Sequence, residues 1–474
     1  MVVGGKKLFG SLHNQTSKNA VLPIMAGAIL NNGVVTIHNI PNLLDIENMT
    51  KILEDLGVKA IVKKSNNNLR ECTTSTNSSD ELQEYKILED YCDTMEDCTD
   101  VEKQIASNNI TLDNKTEKVI ATNDLILDCT NINKYALDAE LSKALRSSIF
   151  LLGPLLARFK KATVCYPGGC NIGNRPIDLH LAGLKELGVK ITERHSLIYC
   201  DGSNMHPSTI HLDFPSVGAT ENLMMSAVFL KGTTKIFNSA KEPEIVDLQN
   251  FLNSMGAKIS GAGTSEITIQ GVDSLHNTQY MPIGDRIVAG TYLIACAMTG
   301  GEITIENVIP EHLYSLLHKL KKAGCEISTT ANSITIKSSG KLQSIDLIET
   351  STYPGFPTDL QAQIMAMETV SPGVSVLVEN IFENRYKHAG EFKKMGADVI
   401  IKDRVAVVRG VESLAGAPVE ASDLRGGASL VLTGLVAKGY TTISNTFHIA
   451  RGYEDIVRDL ACLGADIKYL AENS

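Results

Sequence analysis

The sequence predicts an α/β protein built from six repeated units shared between two domains. Three observations predict it. One short phrase returns six times: Leu-Glu-Asp-Leu-Gly57-Val-Lys, Leu-Lys-Glu-Leu-Gly188-Val-Lys, Leu-Asn-Ser-Met-Gly256-Ala-Lys, Leu-Lys-Lys-Ala-Gly324-Cys-Glu, Phe-Lys-Lys-Met-Gly396-Ala-Asp and Leu-Ala-Cys-Leu-Gly464-Ala-Asp. The gaps between its glycines are 131, 68, 68, 72 and 68 residues, and a fixed period of this kind marks a repeated supersecondary unit. Helical and β-rich runs alternate inside each unit, as they do in α/β layers. At 474 residues the chain exceeds one hydrophobic core, so the units divide simply as three and three.

Taken in order, each unit opens on an apolar helix: 20–30, 148–156, 223–230, 290–298, 364–367 and 430–436. A Gly-containing or polar turn leads to a β-rich stretch such as 34–37, 233–236 or 441–444. A second helix follows and ends on the repeated phrase. Its apolar residues at i and i+3 share one face, and the glycine accepts the left-handed backbone that stops the helix. Most copies then enter a strand, as at 189–191, 257–259 and 397–401.

The long first gap holds an insertion, read as 65–117. It opens Ser65-Asn-Asn-Asn and continues through Thr73-Thr-Ser-Thr-Asn-Ser-Ser79. Residues 65–128 carry 15 acids and 5 bases, a balance equal to the whole chain's −10, so the remainder is neutral. Low apolar content and acidic excess make this a solvated, largely disordered loop, with a docking or regulatory element as the other reading. Its middle, 81–103, can form a short helix.

An acidic balance, no Trp and 5% aromatic residues argue against a nucleic-acid partner, which requires a basic patch and stacking rings. Ten cysteines without regular spacing do not make a disulfide framework; they read as reduced thiols of a cytoplasmic protein. Lys6-Lys7 ahead of the run 20–30 imitates a signal peptide. However, His13, Asn14, Gln15, Lys18 and Asn19 intervene, and the run fills the place every other unit gives to its first helix. No apolar stretch reaches membrane-spanning length.

Chemistry concentrates where the units differ. Their first helices start at Thr16-Ser-Lys18-Asn19, Arg146-Ser-Ser, Ser216-Val-Gly218, Gly284-Asp-Arg286, Thr358-Asp359-Leu-Gln361 and Asp423-Leu-Arg425-Gly-Gly. Thr358 and Gln361 have the form of a capping box. Ser, Thr and Asp are ordinary caps, but Lys and Arg are disfavoured at the positive end of a helix. Lys18, Arg146, Arg286 and Arg425 are tolerable there if a polyanion sits where they converge. A second position, 11 to 13 residues before the glycine, holds Arg175, Glu244, Glu311, Arg385 and Arg451, and arginine suits bidentate grip on phosphate or carboxylate.

The loop Tyr166-Pro-Gly-Gly-Cys170-Asn-Ile-Gly-Asn-Arg175-Pro-Ile-Asp178-Leu-His180 excludes regular structure. Cys170 is either a small hydrophobe or a reactive thiol whose pKa Arg175 lowers. A zinc site is disfavoured, because Cys165-x4-Cys170 lacks a second ligand pair. His180 reads as structural or capping rather than as a general base.

This loop resembles the catalytic loop of the UDP-N-acetylglucosamine 1-carboxyvinyltransferase family of enolpyruvyl transferases. So do Ser17-Lys18-Asn19-Ala20, Asp213-Phe-Pro-Ser216-Val-Gly-Ala-Thr-Glu221-Asn, Glu242-Pro-Glu244-Ile-Val-Asp247, Asp285-Arg286-Ile, Phe356-Pro-Thr-Asp359-Leu-Gln-Ala-Gln363, Phe382-Glu-Asn-Arg385 and Arg451-Gly-Tyr-Glu454. The match runs in the family's order along nearly the whole chain except the insertion. Departures are Ser17 and Gly426-Gly427, where relatives often have Gly and Ala-Ser.

The resemblance implies a two-domain inside-out α/β barrel with three units per domain. One domain comprises 1–17 plus 284–474 and holds Asp359, Arg425 and Arg451. The other comprises 18–283, holds Lys18 and the Cys170 loop, and contains the insertion. It implies transfer of the enolpyruvyl group of phosphoenolpyruvate to the 3′-hydroxyl of UDP-N-acetylglucosamine, with release of phosphate, as the first committed step of peptidoglycan synthesis. Lys18, Asn19, Arg146, Arg175, Arg425 and Arg451 are then the phosphoenolpyruvate side. Arg146, Arg175, Pro176, Ile177, Asp178, Leu179, Ser216, Val217, Gly218, Asp359 and Ile381 are the sugar-nucleotide side. Cys170 is the proton donor and the site of an S-cysteinyl phosphothioketal, Asp359 the general base and Lys18 a further catalytic residue. No metal or cofactor is called for, and the partners are the two small substrates. The alternatives are a transferase like 5-enolpyruvylshikimate-3-phosphate synthase, whose Asn-Ala-Gly-Thr-type motif is not found here, and a silent nucleotide-sugar-binding scaffold.

Overall fold

The computed structural model describes residues 1–75, 115–166, 173 and 176–470, and the side chains of those outside 65–121. All six glycines of the repeated phrase close a helix with left-handed backbone: φ is 106° at Gly57, 86° at Gly188, 101° at Gly256 and Gly324, 92° at Gly396 and 95° at Gly464. A Cβ would be disfavoured in that conformation, which explains why the period is written in glycine.

The first helix of each unit lies inside. Lys18–Ala28, Leu152–Phe159 and Val217–Ala227 share one hydrophobic cluster; Arg286–Thr299, Gln361–Glu368 and Leu424–Val436 share another. They are buried nearly all round, as an apolar helix without a polar face must be. The second helices bury one face. In Leu44–Leu56, for example, Ile46, Met49, Ile52, Leu53 and Leu56 turn inward. The first cluster runs from Val21 to Ile269, whereas the second combines Val2, Leu8 and Leu12 with residues from Ile287 to Ile467.

Sheets cover these helices. A typical unit pairs a short strand in parallel with a strand that has an antiparallel neighbour on its other side: Thr209–His211 beside Thr233–Phe237, Leu347–Glu349 beside Val374–Val378, and Pro418–Glu420 beside Tyr440–Ser444, whose antiparallel neighbour is the N-terminal Val2–Val3. Units one and four merge into one eight-stranded sheet, because Lys59–Ser75 reaches past its own hairpin to Leu8–His13 of the other lobe, pairing Ser11 with Thr73 and Leu12 with Cys72. The fold is thus the α/β six-unit architecture that the repeat predicts.

The ends of the insertion differ from expectation. Instead of a loop from residue 65, Lys59–Ser75 and Lys115–Asp128 continue as a ladder out to Ser75 opposite Lys115. Thr, Val and Ile in these flanks favour a pleated strand, a local preference that the overall composition masked. Residues 76–114, including the expected helix at 81–103, lie outside the described residues.

The chain passes between lobes twice, side by side. Thr16 bridges Gly284, Ser17 N–H donates to Ile283 O at 2.8 Å, and Asp285 N–H to Gln15 O at 2.8 Å. Cys129, Cys165, Cys200, Cys296 and Cys325 are free and buried. Among the described residues no helix is long and apolar enough to cross a membrane.

Candidate active site

Helix starts from both lobes meet at the double crossing. Asp285 caps the helix Arg286–Thr299, its Oδ1 accepting from Ile287 and Val288 N–H, while its Oδ2 accepts from Lys18 N–H at 3.3 Å. One carboxylate therefore fixes two helix starts from opposite sides of the cleft. Lys18 Nζ donates to Asp45 Oδ2 at 3.1 Å, and Arg451 Nε reaches Asp45 Oδ1 at 2.9 Å from the other lobe. Buried Gln15 holds the Arg451 segment from both sides, donating to Gly452 O and accepting from Glu454 N–H.

A second cluster surrounds Asp359. Arg385 Nη2 lies 2.7 Å from its Oδ1 and Arg425 Nη2 3.1 Å from its Oδ2. Both arginines are buried, while the Asp359 side chain is 30% exposed. Arg385 is oriented by Thr358 O, and Thr358 Oγ1 donates to buried Glu379. The expected capping box does not form, because the Thr358 hydroxyl is spent on Glu379 and Gln361 turns to Met365 Sδ. Glu379 also accepts from Ile381 N–H, placing Ile381 next to the Asp359 start.

The electrostatics of the two clusters differ in a useful way. Burial alone would raise Asp359, but the charges of Arg425 and Arg385 hold its carboxyl well below the usual carboxylate range. Asp45 likewise stays below its ordinary value, because Lys18 and Arg451 outweigh its burial. Lys18 is pushed down instead, by burial first and then by Arg425 and Arg451 against the pull of Asp45. Asp45 thus keeps its charge comfortably, whereas Lys18 is a crowded cation short of negative neighbours. Arg425 Nη1 is buried and has no hydrogen-bond partner among the described residues. Unsatisfied buried donors in a cationic cleft are what an anionic ligand would satisfy.

The arginines at helix starts are therefore not all awaiting a polyanion. Arg286 is paired with Glu244 through Nε at 3.0 Å and Nη2 at 3.3 Å, an internal counter-ion from the other lobe. Lys18 and Arg425 are partly neutralised in the same way by Asp45 and Asp359. Arg146 lines a cavity of about 680 Å³ together with Pro176, Ile177 and Asp178. Leu179 packs on the adjoining core. At the start of Val217–Ala227, Ser216 Oγ accepts from Ala219 N–H. Gly218 faces His180, where an added Cβ would stand 3.0 Å from the ring. His180 is also linked to buried Asn222 through Nδ1, consistent with a structural role. Asn19 is half-buried beside Lys18.

Cys170 and Arg175 lie outside the described residues. Gly173 of the same segment is described: an added Cβ there would come 2.8 Å from the Glu383 carboxyl of the opposite lobe, so Gly173 itself lies close to the Arg385 segment. Gly426 and Gly427 also have a local cause. A Cβ at Gly426 would meet Asp423 Oδ2 at 2.7 Å, and one at Gly427 would meet Ile449 at 2.7 Å.

Two residues of the clusters escaped the sequence reading as site members. Arg385 stands in the sequence as a repeat position and within the motif Phe382-Glu-Asn-Arg385, without a site role. Asp45 stands 12 residues before Gly57, the place Glu244 occupies before Gly256, and that register was the signal that could have found it.

A six-unit α/β fold with an anion-seeking cleft between its lobes defines the enolpyruvyl transferase class. The chain belongs to that family: the family model described as EPSP synthase (3-phosphoshikimate 1-carboxyvinyltransferase) matches residues 2–88 and 96–460. Among relatives, UDP-N-acetylglucosamine 1-carboxyvinyltransferase 2 of Caldanaerobacter subterraneus subsp. tengcongensis is 45% identical over 464 residues, covering 98% of this chain and 97% of that protein. UDP-N-acetylglucosamine 1-carboxyvinyltransferase of Myxococcus xanthus is 41% identical over 470 residues, covering 99% and 98%. Among solved structures, the enolpyruvyl transferase NikO of Streptomyces tendae superposes with a TM-score of 0.77 at 21% identity, covering 98% of this chain and 97% of that one. EPSP synthase of Acinetobacter baumannii gives 0.67 at 16% identity, covering 99% and 98%. These two show the shared fold.

Proposed function

We propose that the chain transfers the enolpyruvyl group of phosphoenolpyruvate to the 3′-hydroxyl of UDP-N-acetylglucosamine and releases phosphate. The observation that carries this reading is the pair of carboxylates, buried Asp45 and half-buried Asp359, each clamped by two cations. A substrate with one phosphate and one carboxylate offers two anionic groups for the same two clusters. The relatives named above point to the same sugar nucleotide.

The reaction is an addition followed by an elimination. The Cys170 thiol gives a proton to the methylene carbon of phosphoenolpyruvate, and the adjacent carbon becomes electrophilic. The sugar 3′-oxygen bonds to that carbon while Asp359 takes the hydroxyl proton. The methyl group of the resulting tetrahedral ketal then returns a proton, the C–O bond to phosphate breaks, and the double bond reforms. Lys18, Asn19, Arg146, Arg175, Arg425 and Arg451 stabilise the phosphate and carboxylate charge. Arg146, Arg175, Pro176, Ile177, Asp178, Leu179, Ser216, Val217, Gly218 and Ile381 orient the sugar nucleotide. The working division is one domain of 1–17 plus 284–474 and another of 18–283, in the cytoplasm.

Asp359 is a weak base while Arg385 and Arg425 hold it. Its basicity rises once the carboxylate of phosphoenolpyruvate draws those guanidiniums away, so proton abstraction waits for the second substrate. The test is phosphate release from phosphoenolpyruvate by the purified chain. Release only with UDP-N-acetylglucosamine supports the reading. Release with shikimate 3-phosphate favours the sibling activity, and no release with either favours a scaffold.

A further inference from the structure

Asp45 takes no part in the proton and bond transfers above, yet both of its oxygens are engaged by cations. It is 3% exposed and sits in the first turn of the helix Leu44–Leu56, where the dipole favours its charge. Its two oxygens are divided between lobes, Oδ2 on Lys18 Nζ and Oδ1 on Arg451 Nε. Those are two of the residues assigned to the charges of phosphoenolpyruvate. Asp45 therefore occupies, as an internal anion, the coordination that a phosphate oxygen would take.

We propose that Asp45 is a positioning residue that competes with phosphate for Lys18 and Arg451. It keeps the two cations assembled across the cleft between turnovers, weakens phosphate binding, and returns to them as the product ion leaves. This rests on the reading of Lys18 and Arg451 as residues that hold phosphoenolpyruvate, and adds that its phosphate is the group they hold. The physical need is plain: a dianion released into a buried cationic site is slow to depart unless another anion takes its place. Lys18, crowded by Arg425 and Arg451, has no other carboxylate at hydrogen-bond distance from Nζ among the described residues. No bond is made or broken in this exchange; one ion pair replaces another.

The test uses the full-length chain and inorganic phosphate. Titration calorimetry without nucleotide sugar should show Asp45→Asn binding phosphate about tenfold more tightly than the parent, since one nearby negative charge has been removed. Asp45→Glu, which keeps the charge, should stay close to the parent. In turnover, Asp45→Asn should lower KM for phosphoenolpyruvate, lower kcat and sharpen inhibition by added phosphate. A merely structural Asp45 would give the opposite, because disordered Lys18 and Arg451 bind phosphate less well; equal or weaker binding by Asp45→Asn overturns the proposal. If that variant does not fold, Asp45→Ser carries the same test. Phosphate that still binds the Asp45→Asn/Lys18→Ala double variant sits elsewhere and also overturns it. Failure of the parent to turn over phosphoenolpyruvate with UDP-N-acetylglucosamine would refute the assigned reaction instead, leaving the phosphate titration to decide the role of Asp45.

Discussion

Replacing Asp359 by Asn separates its two roles. The change keeps the shape but removes the one charge between Arg385, 2.7 Å away, and Arg425, 3.1 Å away. Opposite charges about 4 Å apart attract by about 4 kcal/mol at an effective dielectric of 20, and the solvation lost on burial cancels much of this. Stripping one partner from a buried ion pair costs about 3–5 kcal/mol. Because Asp359 is partly exposed, the lower end applies, about 3 kcal/mol, or roughly 6–12 °C in the melting temperature of a lobe of this size. The pH dependence has a fixed sign. A carboxyl whose folded pKa is depressed contributes fully above its unfolded pKa of about 4 and loses that contribution only as pH falls through the lower folded value. The gap between parent and variant should therefore be flat from about pH 7 to pH 5. Saturating phosphoenolpyruvate should stabilise the variant more than the parent, because its carboxylate supplies the missing counter-ion. Turnover should fall at least about a hundredfold for loss of the base. Differential scanning fluorimetry across pH and a phosphate-release assay measure all of this. A variant as stable as the parent, or one that retains full turnover, would refute the reasoning.

Three further outcomes are expected. Gly218→Ala should fold with a loss of about 1 kcal/mol, since the new Cβ presses on His180 at 3.0 Å; its KM for the sugar nucleotide should rise while inorganic phosphate binding is unchanged, as read by kinetics and calorimetry. Arg286→Ala should cost about 3–5 kcal/mol in urea denaturation by stranding buried Glu244, and the double change Arg286→Met/Glu244→Leu should recover most of it. Fosfomycin, an epoxide, should add to Cys170, giving one adduct by intact mass that maps to the loop peptide. Cys170→Asp should abolish the adduct while retaining turnover, because a carboxylic acid can still donate the proton.

The scaffold was legible because its punctuation is written in one residue type: a left-handed helix end favours glycine, so six glycines, the last five spaced by 68 or 72 residues, declared six helix ends. The helix starts were legible for the same reason, as Lys18, Asp359 and Arg425 stood in register before them. What those cations touch was not legible. Asp45 and Arg451 are 406 residues apart, and nothing local in either segment encodes their meeting. The Thr358 hydroxyl likewise served Glu379 rather than a cap, because a buried carboxylate from the next strand was the stronger partner. The insertion's flanks were misjudged for a different reason: composition averaged over 65–117 hid the short β-forming ends within a polar whole.

The strand that joins the two lobes does so through main-chain pairing, at Ser11 opposite Thr73 and Leu12 opposite Cys72. A weld of peptide groups is indifferent to which side chains flank it. Residues around 72 can therefore drift over generations, and the segment beyond them can lengthen or shorten, without loosening the joint. Evolutionary tinkering at this site is thereby insulated from the geometry of the catalytic crevice.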